Sequence, residues 1–146
     1  MPKLNVSIIG TEFRRHEIQI MIARATARVK AAGCNVEHTL YVPGCYEIPL
    51  AADWILSKAA TTGILVFGII ERGENAHGMV LGRSVSDGLI ALQLKHSKPI
   101  GIGIIGPNAV PTQIQALMDI QSDAASNALL KMSELVTNLR QRRIEG

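Results

Sequence analysis

Gly63-Ile64-Leu65-Val66-Phe67 is followed by Gly68-Ile69-Ile70, an apolar run with no polar residue anywhere in it. A strand with one solvated face alternates apolar and polar side chains, and this run does not alternate. The pattern belongs to a strand covered on both faces, as in a parallel sheet. Parallel neighbours need long crossovers, normally helices. The run therefore predicts an α/β domain, and the remaining segments should alternate strand with helix.

They do. Leu4–Ile9 is expected as the first strand, ending at Gly10, with Thr11–Arg15 a polar turn holding Phe13. Ile18, Ile22, Ala25, Val29 and Ala32 step by four and three, the stripe of an amphipathic helix. Gly33 suits a left-handed stop. Val36–Val42 is a more polar strand, suited to a sheet edge, and Pro43-Gly44 closes it. Cys45–Pro49 opens a helix running to about Ala59, with Pro49 in its first turn. After the apolar strand a helix is expected from about Met79, with Leu81, Val85, Gly88, Leu89 and Leu92 on one face. Ile100–Ile105 is the fourth strand. Its alternating glycines imply close approach by a helix or another subunit. Gly106-Pro107-Asn108 is expected to turn the chain into a last helix over Thr112–Arg140. The fold expected is a flavodoxin-like three-layer α/β/α sandwich with a four-stranded parallel sheet, one domain over residues 1–146.

Composition narrows the function. Fifteen Lys and Arg against twelve Asp and Glu leave a net charge of only +3. Arg140, Arg142 and Arg143 cluster at the last helix's end and suit a solvated face. Aromatic residues are few, so there is no stacking platform for single strands; no nucleic-acid partner is expected. Cys34 and Cys45 have neither disulfide-framework nor metal-ligand spacing. No signal peptide and no run long enough to span a bilayer is evident, so a cytoplasmic protein without a membrane partner is expected.

In open parallel sheets, ligands bind beyond the carboxyl ends of the strands. Four loops gather there: Gly10–Arg15, Pro43–Glu47, Glu71–His77 and Gly106–Val110. They carry Phe13, Arg14, Tyr46, Glu47, Glu71, Arg72, Asn75, His77 and Asn108. That set offers a ring for stacking, a carboxylate for hydroxyl groups and an imidazole for proton transfer. Each has a plain alternative. Phe13 could be packing at a strand end, Glu47 a first-turn acid stabilised by the helix dipole, and His77 a capping residue. His16, His38 and His96 are expected at the surface without a partner.

Three stretches together resemble one family over essentially the whole chain. Thr11-Glu12-Phe13 is similar to its first strand followed by an aromatic. Val42-Pro43-Gly44-Cys45-Tyr46-Glu47-Ile48-Pro49-Leu50 is close to its Val-Pro-Gly-x-aromatic-Glu-Ile-Pro signature. Arg72-Gly73-Glu74-Asn75-Ala76-His77 resembles its Gly-x-Thr-x-His loop. The family is 6,7-dimethyl-8-ribityllumazine synthase, in its archaeal type.

The resemblance implies a transferase of riboflavin biosynthesis. It would condense 5-amino-6-(D-ribitylamino)uracil with 3,4-dihydroxy-2-butanone 4-phosphate, without metal or cofactor. Phe13 would stack on the pyrimidine, and Glu47 would accept from the ribityl hydroxyls. Backbone groups of Ile69, Ile70 and Glu71 would read the pyrimidine edge, and His77 would shuttle protons. Tyr46, Gly73, Glu74, Asn75 and Asn108 complete the expected substrate site. The resemblance also implies a homopentamer or a larger shell.

The chain departs from the family at the phosphate. The family's anchoring Arg lies early in the last helix, where this chain has Leu117, or Ala116 or Asp119 if the register shifts, and Pro99–Leu130 holds no Lys or Arg. Arg72 and Arg83 are the candidate substitutes. The loop N–H groups of Gly73–His77, at a helix start, are a further means of holding an anion. The alternative function is a non-catalytic relative, a flavin binder or shell-forming scaffold.

Overall fold

A computed structural model describes residues 3–73 and 76–145. Four parallel strands, β1 (Asn5–Thr11), β2 (Asn35–Val42), β3 (Gly63–Glu71) and β4 (Ile100–Ala109), lie in the order β2-β1-β3-β4. Between and after them run α1 (Arg15–Ala31), α2 (Ile48–Leu56), α3 (His77–His96) and α4 (Pro111–Glu145). A 3-10 turn at Cys45–Glu47 leads into α2.

The non-alternating run makes the central strand. Every residue of β3 but the last is buried. Leu65, Phe67 and Ile69 meet α1 and α4 in one core, with Ile18, Met21, Ile114 and Leu129 among the helix residues. Ile64, Val66 and Ile70 meet α2 and α3 in a second core with Ile48, Leu56, Val85 and Leu89. The strand's pleat thus divides its side chains between two hydrophobic layers. The expected three-layer architecture is present, with two helices on each face. β2 has a mixed burial pattern and lies at the edge, as its polarity predicts.

The glycines of β4 are explained within the chain. A Cβ on Gly101 would run into the Ala125 carbonyl of α4 and stand 2.5 Å from Leu65 Cδ2. One on Gly103 would stand 2.5 Å from the Phe67 ring. The crowding comes from α4 and β3, with no second subunit required.

Several boundaries differ from expectation. The α2 helix stops at Leu56, before Ala59; Lys98 Nζ donates to the Leu56 and Lys58 carbonyls there, at 2.8 Å each. The α3 helix begins at His77, so the imidazole sits on its first residue. Met21, not Ala32, completes the buried stripe of α1. Gly33 has φ +91°, the left-handed stop expected. Gly106-Pro107-Asn108 does not end β4. Pairing resumes with Glu71 opposite Ala109, so the three residues form a bulge facing Ile70. Gly106 at φ +104° lies where a Cβ would strike the Ile70 carbonyl. His96 is not an unpartnered surface histidine: its Nε2 is 2.7 Å from Asp53 Oδ1, tying α3 to α2. Ile55 is buried in the second core, while its neighbour Trp54 is 68% exposed.

Candidate functional site

The strand order creates the site. From β1 the chain moves outward to β2 through α1, on one face. It then returns past β1 to β3 through α2, on the other face, and continues outward to β4. The loops leaving β1 and β3 therefore diverge to opposite faces, opening a crevice at their carboxyl ends. A cleft of about 570 Å³ lies at that end, lined by residues from the loops after β1, β2 and β3 and by the first turns of α3.

Backbone bonds pin these loops to one another. Glu12 N–H donates to the Val42 carbonyl at 2.7 Å, and Phe13 N–H to that of Pro43 at 3.1 Å. The loops after β1 and β2 are thereby zipped together, and the Thr11 hydroxyl donates to the Phe13 carbonyl at 2.8 Å. Phe13 is left half exposed at the cleft wall. On the other side, Arg72 N–H donates to the Ala109 carbonyl at 2.7 Å, joining the ends of β3 and β4.

The Cys45–Glu47 turn is seated by its cysteine. A Cβ on Gly68 would stand 2.5 Å from Cys45 Sγ, so the thiol occupies the space that this glycine leaves open. Burial, reinforced by the nearby Glu47 carboxylate, pushes the Cys45 thiol up to about 11. It stays protonated near neutrality and is a packing group, not a nucleophile. Seated there, it presents Tyr46 and Glu47 to the cleft. The Tyr46 ring meets the His77 ring edge-on, centroids 6.0 Å apart and planes at 62°.

Eight of the residues expected at the site line this one cleft: Phe13, Tyr46, Glu47, Ile69, Ile70, Glu71, Gly73 and His77. Glu74 and Asn75 lie outside the described residues. Three others are placed elsewhere. Asn108 sits exposed on the β4 bulge with φ 73° and is not part of the lining. Arg72 and Arg83 are exposed and also absent from it. Among the described residues, no Lys or Arg lines the cleft. Leu117, the first of the three positions aligned with the family's cation, packs partly buried against the core of α1 and α4.

The sequence did not reveal one contact. Arg14, the residue after Phe13, reaches across the crevice and donates to Glu71 Oε1. Its remaining terminal nitrogen donates to Glu17 Oε1 at 2.9 Å. Hydrogen bonds to Glu17 and Glu71 raise the Arg14 pKa above its ordinary value. Burial pushes the Glu17 carboxyl up, but its own backbone N–H and the Arg14 fork outweigh that and hold it below its usual value. The available signal was an Arg and a Glu at the carboxyl ends of adjacent strands, and it needs the strand order to be seen.

The fold and the cleft together define a parallel α/β domain that binds a small molecule at the switch point of its sheet. A sequence model of 6,7-dimethyl-8-ribityllumazine synthase matches residues 3–140, and the chain belongs to that family. It is 29% identical to 6,7-dimethyl-8-ribityllumazine synthase of Staphylothermus marinus over 143 residues, covering 97% of this chain and 94% of that one. It is also 29% identical to the synthase of Metallosphaera sedula, over 93% of this chain and 90% of the other. With the Picrophilus torridus synthase the identity is 27%, over 92% and 99%.

Proposed function

We propose that this chain condenses 5-amino-6-(D-ribitylamino)uracil with 3,4-dihydroxy-2-butanone 4-phosphate to give 6,7-dimethyl-8-ribityllumazine. The observation carrying this reading is that Phe13, Glu47 and His77, from three separate loops, line one cleft in a chain of this family. Phe13 stacks on the pyrimidine, while the Glu47 carboxylate accepts from the ribityl hydroxyls. Backbone groups at Ile69–Glu71 take the pyrimidine edge. His77 moves protons as the imine forms, phosphate leaves, the ring closes and water is lost. Much of the acceleration comes from holding two reactants in contact. The assembly is a homopentamer or larger shell in the cytoplasm. Leu50 and Trp54 are 72% and 68% exposed on α2, beside the Glu47 turn, which supports a neighbour there.

Phosphate capture is the weak part of the site. Each charge-assisted hydrogen bond missing from an Arg fork is worth about 1.5–3 kcal/mol. The N–H groups at the start of α3 partly replace it, so a high KM for the phosphate substrate is expected. Incubating the purified chain with both substrates and following the lumazine absorbance tests the reading. Product forming above the spontaneous rate supports it, and product at that rate contradicts it.

A lining without Lys or Arg among the described residues favours a second reading, a flavin-binding or shell-forming relative without turnover. Riboflavin quenched on titration, with no product from the two substrates, is its signature.

A further inference from the structure

The Arg14–Glu71 bond joins residues 57 positions apart, across the crevice between β1 and β3. Arg14 is held in the left-handed region, φ 59°, at the residue before α1. A non-glycine residue stays there only when its surroundings fix it. Here the fixing contacts are two carboxylates, Glu71 from the end of β3 and Glu17 from the first turn of α1. The three side chains are 26%, 35% and 20% exposed, so solvent screens them only in part.

Charge decides what such a cluster can recognise. One guanidinium between two carboxylates leaves a net charge of −1. It offers no spare cation to an anionic guest and repels one. Its effect is positional: the planar fork fixes the Glu71 carboxylate in place. Glu71 lines the cleft, and so does Glu47 from the turn after β2. The lining thus carries two carboxylates and no cation among the described residues. This suits an uncharged guest rich in N–H and O–H donors.

Resting on the synthase reading, we propose that Arg14 is a positioning residue. It holds Glu71 as a second acceptor for the donor groups of the ribityl pyrimidine and takes no part in phosphate capture. Glu71 is then a specificity-determining contact of the side chain itself, beyond its backbone.

The test is a double-mutant cycle on the equilibrium affinity for 5-amino-6-(D-ribitylamino)uracil alone, using Arg14→Ala, Glu71→Gln and the double variant. Each single change is expected to weaken binding about tenfold, the loss of one hydrogen bond to a charged group. The double variant is expected to be no more than about twofold weaker than either single one, because both remove the same contact. Arg14→Lys recovers part of the affinity. The KM for the butanone phosphate stays unchanged in Arg14→Ala. Effects that multiply in the double variant overturn the inference. So does a fall in melting temperature with affinity intact, or a raised KM for the phosphate substrate alone. A wild-type chain that binds the pyrimidine without turnover sinks the synthase reading and leaves the cycle readable. One that does not bind it contradicts both.

Discussion

His77 stands on the first residue of α3, edge-on to Tyr46, in the cleft that Phe13 also lines. In the proposed role of proton shuttle it would act on bond making more than on binding. His77→Gln is therefore expected to lower kcat roughly 10²- to 10⁴-fold, the range for general acid–base groups, with the pyrimidine KM nearly unchanged. Steady-state kinetics checks this, and a KM effect alone would make His77 a binding residue. Glu47→Gln has the opposite signature: KM for the pyrimidine rises about tenfold as a charge-assisted bond is lost, and kcat changes little. These residues stood out because each lies in a short local pattern, the Val-Pro-Gly-x-aromatic-Glu signature or the loop resembling Gly-x-Thr-x-His before a helix. Arg14 was not. It looks like one more polar loop residue until β1 and β3 are known to be neighbours. His96 was misjudged for the same reason, since its partner Asp53 is on another helix.

Elements were readable where one physical signal dominated. The apolar run of β3 needed cover on both faces and received it. Gly33 ended α1 by its left-handed backbone. Boundaries set by tertiary contact were not readable. Lys98 reaches the carbonyls around the end of α2, and the bulge at Gly106-Pro107-Asn108 keeps β4 paired through Ala109. The same bulge carries Asn108, which explains why a residue expected in the cleft is placed outside it. Close packing of β4 against α4 gives a direct prediction. Gly101→Ala pushes a methyl into the Ala125 carbonyl and Leu65, so it should cost about 1–3 kcal/mol. A lower urea midpoint with an unchanged slope is the expected result. An unchanged midpoint would mean that α4 does not crowd the strand.

At the scale of the molecule, ion pairs tie helices together on both faces of the sheet. Arg24 of α1 holds Asp123 of α4 at 2.8 Å, while His96 and Lys95 of α3 hold Asp53 of α2. The hydrogen bond from Arg24 keeps the Asp123 carboxyl below its ordinary 3.8. Hydrogen bonds from His96 and then Lys95 do the same for Asp53. A carboxyl depressed in the folded state contributes stability above its unfolded pKa and loses it as pH falls through the folded value. Urea midpoints should therefore drop below roughly pH 4 through these groups. Asp123→Asn should show a smaller drop than wild type between about pH 5 and pH 3, and an identical profile would contradict the pairing. The three layers were evident from sequence because they follow from strand–helix alternation. The divergence of the β1 and β3 loops was not, because it depends on strand order.

That divergence is what brings Phe13, Glu47 and His77 to one cleft. A crystal structure of the chain with 6,7-dimethyl-8-ribityllumazine bound tests it most directly. The predicted complex has the ring system over Phe13, the ribityl chain on Glu47 and His77 within hydrogen-bond reach of the ring. A ligand seated away from any of these three, on this chain and on every neighbouring protomer, would contradict the account.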